Sequence, residues 1–511
     1  MDYVLGIDLG STSLKAVVYD LDGNVISKGS HPTESVTPDP EKPNWQVFLP
    51  EHIWGGIAAA IRQAASQVKA GDRIRAAAVT GLGADSVPLD ERGEPVYPFI
   101  NWLDTRTTAQ YEWWLQHAGL EKTFQITGWQ PFVWSTVFRF MWLQEKEPEL
   151  ARRVSRWLIV EDFVNYQLTG KFSTDYTDAS PTLLFDQRSL SWSDELLGLA
   201  GIKKELLPTP QPSGSYIGEV TSQAAKATGL PAGIPIFQGG HDYLVGALAA
   251  GAVSPGVFLD VTGTWELVIT PTKSPSWAPE LRELGLTLEA HAAPGTYALW
   301  GGGTAASMLE WYKDQVGCLS AGAERNIWST LMNEARTSSP GANGIFFLPH
   351  FNGTTCPTLD PFSLGAFLGL NDTTKRCDLV RAVIEGLDYA FYDMLQAVER
   401  GAGAPAEKIT AIGGAVRNDF WMQNKADVSG RLIEAPEIEE ATALGAAMLA
   451  GTGAGFYTDL NEAVQRVQKP GRRFEPDPGL TPLYAELFQV YKEVYPTLKS
   501  LNQRIYDHFR I

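Results

Sequence analysis

The sequence predicts an α/β protein of two lobes, and three observations carry that reading. The first 80 residues run strand, strand, strand, helix, strand. A similar opening returns halfway along, where Asp260 and Thr264 repeat the spacing of Asp8 and Thr12 at an offset of 260 − 8 = 252. The chain has 511 residues, room for two to four domains at about 100–200 residues each. The break is expected near residues 250–256, giving lobes over 1–252 and 253–511.

Residues 3–9 form an apolar run that ends in Gly10-Ser11-Thr12. Residues 14–19 read as a second strand, and Asp22-Gly23 marks a hairpin turn before a third over 24–27. Residues 31–50, rich in Pro, Glu and Asp, read as an exposed loop. Ile53, Trp54, Ile57, Ile61, Ala64, Ala65 and Val68 then recur at helical spacing, with Gly71 as the stop. Residues 74–79 read as a buried strand. In the second half, residues 256–262 end in Gly263-Thr264, and a strand follows over 267–270. Residues 378–400 carry a long amphipathic helix stopped by Gly401. A last helix is expected over 482–509, broken or kinked at Pro496. Its apolar stripe leaves open a packing back onto the N-terminal lobe.

Composition narrows the function. Hydrophobic residues at 44% and charged residues at 20% rule out wholesale disorder. The 41 basic and 59 acidic residues give a net charge of −18, which repels phosphate backbones and argues against a nucleic-acid binder. Cys318, Cys356 and Cys377 are odd in number with no C-x-x-C, which fits a reducing compartment. The N-terminus lacks a basic n-region, and no continuous apolar stretch of roughly 20 residues occurs. A cytoplasmic protein without membrane partners is expected.

Three segments could carry chemistry. In the turn after Asp8, glycine admits a phosphate to the backbone while Ser11 and Thr12 add hydroxyl donors. Asp8 can hold Mg²⁺ directly or through water; the alternative is a plain β-turn. Asp242 follows Gly239-Gly240-His241 at a strand–helix junction, placed to take a proton from an attacking hydroxyl, or simply to cap the helix. Residues 411–418 run from a strand into Gly413-Gly414, where a flat ring could lie against the backbone. A P-loop is absent, since Asn165 stands where its first Gly would be needed before Gly170-Lys171.

Together these segments resemble the FGGY carbohydrate kinases. Gly365, Phe367 and Gly369-Leu370, then Asp378-Leu379, Ala382-Val383-Ile384 and Glu385 after seven residues, fit the family's long C-terminal signature. Trp134, Thr136, Phe140, Trp142-Leu143 and Glu145 fit the N-terminal one, with Arg139 in place of the usual Lys. Asn101–Arg106 resembles the family's W-x-D-x-R, the stretch from Leu348-Pro349 to Asp360-Pro361 its proline-rich segment, and Gly413–Asn418 its adenosine loop.

The resemblance implies two ribonuclease-H-like lobes of the actin and hexokinase type, with ATP, Mg²⁺ and a sugar in the cleft. It makes Asp242 the catalytic base and Asp8 the Mg²⁺-linked aspartate. Gly10, Ser11 and Thr12 become one phosphate turn, Gly263 and Thr264 the other. Gly413, Gly414 and Asn418 become the adenosine site, and Ala84, Asp85, Trp102 and Asp104 the sugar contacts. The expected reaction is transfer of the γ-phosphate to a ketose, with D-xylulose first, to D-xylulose 5-phosphate. Kinases of xylulose carry Met-His where this chain has Gly83-Ala84, and Asn where it has Tyr243. The pair His241-Asp242 resembles the rhamnulose and fuculose kinases instead, so other ketoses and polyols remain alternatives. The small residues at 83 and 84 are expected to leave space beside Asp85. A homodimer stays open. From another class, a non-catalytic actin-like or sugar-sensing protein would share both turns, but has no need of a base aimed at a hydroxyl.

Overall fold

The computed structural model describes residues 1–263, 265–317 and 327–509. Its N-terminal half begins with β1 (Asp2–Leu9), β2 (Ser13–Tyr19) and β3 (Val25–Pro32), an antiparallel meander. Helix α1 (Pro50–Ser66) leads into β4 (Arg73–Gly81), which pairs parallel with β1. An insertion follows that includes α2 (Thr136–Lys146) and α3 (Val160–Thr169). The sheet is completed by β5 (Tyr216–Glu219) and β6 (Pro235–His241), in the order β5-β6-β4-β1-β2-β3, and α4 (Asp242–Ala249) follows directly. Strand β1 is buried on both faces, which is why it reads as a continuous apolar run rather than an alternating one.

The second half repeats this topology. Strands β7 (Phe258–Thr262), β8 (Trp265–Thr272), β9 (Thr287–Ala290) and β10 (Tyr297–Thr304) pair antiparallel. After α5 (Arg376–Ala402), β11 (Lys408–Ile412) pairs parallel with β7. Then come α6 (Asp419–Ser429), β12 (Leu432–Ala435), α7 (Ala441–Gly453), β13 (Arg472–Phe474) and α8 (Thr481–Phe509). The sheet order is β9-β10-β8-β7-β11-β12-β13. Both sheets are a meander extended by parallel strands on the far edge of its first strand, the expected ribonuclease-H-like plan.

Two expectations about the C-terminal region need correction. Helix α8 does not return to the N-terminal sheet: Tyr484, Phe488, Tyr491 and Val494 pack with Leu348, Tyr389 and Val428 of the C-terminal half. It also does not break at Pro496 but runs through it as one 29-residue helix, with packed residues on both sides of the proline. The helix that does cross over is α7, which lies against β1, β4, β6 and α4. Its small residues make this possible. A side chain on Gly6 would collide with the Ala443 carbonyl, and one on Gly445 with the Val245 carbonyl. Helices α4 and α7 thus fill the space between the two sheets with one apolar cluster.

Cys356 and Cys377 are free thiols, and Cys318 lies outside the described residues. Among the described residues no helix is long and apolar enough to cross a membrane.

Candidate active site between the lobes

Each glycine turn is closed by a backbone hydrogen bond from its glycine. Gly10 N–H donates to the Ser13 carbonyl at 3.1 Å, and Thr33 on β3's exit pins the turn by donating its hydroxyl to the Gly10 carbonyl at 2.7 Å. Ser11 and Thr12 are left exposed. Gly263 N–H donates to the Trp265 carbonyl at 2.9 Å; Thr264 lies outside the described residues. The likeness ends at the carboxylates. Asp8 is bound by the Thr442 hydroxyl of α7 at 2.7 Å, on Oδ2 alone. Asp260 is wholly buried and ion-paired with Lys425 of α6 at 2.7 Å. The same ammonium contacts Thr262 at 3.0 Å and Glu266. Asp260 therefore braces the second turn and is not a copy of Asp8.

Gly413 ends β11 at φ +109°, where a side chain would collide with the Thr262 carbonyl; only glycine permits this approach. Gly414 is exposed with open space about it. Asn418 caps α6, accepting from Trp421 N–H at 3.2 Å, so its side-chain oxygen is engaged by the helix.

Strand β6 is irregular between Gln238 and Gly240, and Gly240 takes φ +141°. That bend delivers Asp242 to the first turn of α4, half-buried, with Oδ1 accepting from Tyr243 N–H at 2.6 Å. Burial and then the charge of Asp8 raise its pKa to about 7. Asp8 itself is raised to about 6 by burial, against the opposing hydrogen bond from Thr442. The two carboxylates feel one another across a common cleft. A general base with a pKa near the working pH suits proton transfer.

The space expected beside Asp85 is not empty. A side chain on Gly83 would lie 2.5 Å from the His241 ring. The imidazole fills the volume that glycine vacates. Burial lowers its pKa to about 3, so it is neutral, and its Nδ1 is buried without a partner among the described residues. Asp85 is fully buried, with Oδ1 3.2 Å from Arg139 and Oδ2 unpartnered among the described residues. Burial raises it to about 7, offset in part by Arg139 and the Trp102 backbone. Ala84 serves through its carbonyl, which accepts from Arg139 at 3.0 Å and Thr136 at 2.9 Å.

Asp104 departs from its expected role. Its side chain is wholly buried, and its oxygens accept from Arg106 at 2.6–3.0 Å and from Gln46 N–H at 2.6 Å. The guanidinium is itself stacked on Trp45 and Trp142. Asp104 thus braces the loop that carries half-buried Trp102, and offers no open oxygen to a ligand. Of the four predicted sugar contacts, Asp85 alone presents an unpartnered carboxylate oxygen. Asp85→Asn is expected to raise the sugar's KM at least about tenfold while moving that of ATP less than about twofold, because a buried polar partner is lost on one side only. Equal changes in both KM values would show a general loss of structure instead.

Several residues escaped the sequence reading. Glu289 on β9 accepts from Trp300 at 2.6 Å, from Trp129 at 3.2 Å and from the Tyr243 hydroxyl. Tyr243 had one signal, its place beside Asp242; Glu289, Trp129, Trp300 and Lys425 had none. Among the described residues no three His, Cys, Asp or Glu side chains group to enclose a metal. Mg²⁺ usually takes one or two carboxylates together with substrate phosphates and waters. Asp8, with one hydrogen bond among the described residues, could serve such a site.

The chain is similar over its whole length to known carbohydrate kinases. The FGGY family of carbohydrate kinases matches through its N-terminal domain over residues 3–249 and its C-terminal domain over 260–454. A xylulose kinase of Staphylococcus epidermidis is 30% identical, with 98% of each chain aligned. An L-fuculokinase of Escherichia coli K12 is 29% identical over 93% of this chain and 97% of its own. The crystal structure of xylulose kinase from Rhodospirillum rubrum superposes with a TM-score of 0.90, at 28% identity, over 98% of this chain and 99% of that one. Both halves of the chain are matched: the chain is a phosphotransferase of the FGGY family of carbohydrate kinases, acting on a sugar and ATP.

Proposed function

We propose that the chain transfers the γ-phosphate of ATP to a hydroxyl of a ketose, with D-xylulose as first substrate and D-xylulose 5-phosphate as product. The observation that carries the chemistry is Asp242, held at the start of α4 with its pKa raised to about 7. It accepts the hydroxyl proton as the oxygen attacks phosphorus. Phosphoryl transfer asks for in-line positioning and charge neutralisation more than covalent work by the protein. The turns at Gly10–Thr12 and Gly263–Thr264 hold the phosphates, and Gly413-Gly414 receives the base of the nucleotide. Asp8 would hold Mg²⁺, directly or through water, and the ion would supply positive charge for the phosphate oxygens. The lobes divide near residue 252, and the cytoplasm is the place of action.

Full-length similarity to proteins named xylulose kinase supports the choice of sugar. His241 against Gly83 favours a second reading, a ketose of the L-fuculose type, in line with the similarity to an L-fuculokinase. Coupled ADP release across pentuloses, hexuloses and polyols separates the two. The first reading stands if D-xylulose has the highest kcat/KM. A better substrate by orders of magnitude elsewhere in the panel transfers the assignment to that sugar.

A further inference from the structure

Glu289 is a buried carboxyl group with no cation beside it among the described residues. It is fully buried on β9, the edge strand of the C-terminal sheet, yet two of its three hydrogen-bond donors come from the other half of the chain. One is Trp129, in the insertion; the other is Tyr243, the residue after Asp242. The third, Trp300, sits on neighbouring β10. The rings these donors carry meet one another. Trp300 lies edge-on to Trp129 at 5.4 Å and to Tyr243 at 5.7 Å, and Tyr243 is edge-on to His241 at 4.5 Å. The wall therefore runs from Trp129 to the imidazole over Gly83, past the residue that bears the base.

The strand that supplies Glu289 is itself seated in the insertion. Leu288 N–H donates to the Gly128 carbonyl at 3.0 Å, and Ala290 N–H to Gln187 Oε1 at 2.8 Å. Gly128 comes so close that any side chain there would collide with the Leu288 carbonyl. Glu289 is thus delivered to the cleft by backbone contacts on either side of it.

We infer that Glu289 is a positioning residue for the sugar subsite: supplied by the C-terminal lobe, it clamps Tyr243 and Trp300 and so completes the aromatic wall beside Asp242. The inference rests on the sugar-kinase reading above. Three donors converge on two oxygens, so the site demands an acceptor at both. A glutamine must turn its amide NH₂ towards at least one donor, which breaks that contact without changing the side chain's size. Tyr243 and Trp300 share Oε1 and Trp129 alone has Oε2, so a glutamine that keeps its oxygen on the first pair turns its NH₂ at Trp129, and the effect reaches the sugar along the ring contacts from Trp129 through Trp300 to Tyr243. The nucleotide, at Gly413-Gly414, is beyond it.

The test is steady-state kinetics of Glu289→Gln, Tyr243→Phe and the double variant, on the best sugar from the panel. Glu289→Gln is expected to raise the sugar's KM about ten- to a hundredfold, with the KM of ATP within about twofold. Tyr243→Phe is expected to do the same to a smaller extent, and the double variant to fall short of the product of the two, since the residues share one contact. Quenching of tryptophan fluorescence on sugar binding, in the absence of ATP, should weaken in parallel. A folded Glu289→Gln with unchanged sugar KM overturns the inference, as does a rise shared equally by ATP. If Glu289→Gln does not fold, Tyr243→Phe decides alone: an unchanged sugar KM there overturns the clamp. Failure of the kinase reading looks different, because the wild-type chain would then turn over no sugar at all.

Discussion

Asp242→Asn is expected to lower kcat by roughly 10²–10⁴, the usual contribution of a general base, while ATP binds nearly as well as before. Asparagine keeps the size of the side chain and can still accept from Tyr243 N–H at the start of α4, so the fold should survive. What it cannot do is take the hydroxyl proton. The same assignment fixes a pH dependence. Burial, and then the charge of Asp8, raise the Asp242 pKa to about 7. A protonated carboxyl cannot act as base, so activity is lost as pH falls. Below about pH 7 the wild-type kcat/KM for sugar should drop about tenfold per pH unit, and above it should level. The residual activity of Asp242→Asn should lack that limb. A correctly folded variant with wild-type turnover would falsify the assignment of Asp242, whatever the sugar.

Lys425→Ala is expected to be the most destabilising single change, by about 3–5 kcal/mol. The ammonium is completely buried between Asp260 and Glu266, over the ring of Phe391. Burial alone would lower its pKa, but the two carboxylates raise it above that of a free lysine. Removing it strands both carboxylates in the interior, against a total stability of only about 5–15 kcal/mol for a typical protein. Glu266, already raised to about 8 by burial, would be raised further and fold mainly as the neutral acid. An acid whose folded pKa exceeds its unfolded value binds more protons when folded, so the variant loses stability as pH rises through that interval. Wild type shares that loss up to about pH 8, so the deficit should widen only above it and be smaller at about pH 7 than at about pH 9.5. Urea midpoints at the two pH values measure it. A deficit below about 1 kcal/mol, or one that grows towards acid pH, would mean that the triad holds little of the second turn in place.

The local plan was legible in the residues because it rests on short-range physics. Strand β1 is recognisable from apolar residues buried on both faces, α1 from its spacing, and the turns from glycine followed by hydroxyl side chains. Asp8 and Asp242 stand out for the same reason: each ends or follows a strand at a glycine, where the chain faces a cleft. The partners of those residues were not legible. Lys425 meets Asp260 across 165 positions and Trp129 meets Glu289 across 160, and nothing in the spacing of either pair announces the other. The roles of Asp85 and Asp104 show the consequence. Both are buried acidic residues, yet Arg106 takes up the oxygens of Asp104, whereas Arg139 leaves one oxygen of Asp85 without a partner among the described residues.

The choice of crossing helix follows the same division. The apolar stripe of α8 could be read from sequence, but which helix lies between the sheets depends on how closely the backbones there approach. Gly6 and Gly445 admit α7 at a distance that larger residues would forbid, while the aromatic face of α8 finds its match at Tyr389 and Leu348. Sequence by itself therefore determined the two-lobed α/β plan, the glycine turns and the candidate base, because backbone preference and periodicity are local. Tertiary structure alone decided which carboxylates stay open, that His241 fills the space over Gly83, and that Glu289 closes the wall beside Asp242, because burial and charge pairing depend on every segment that packs around a residue.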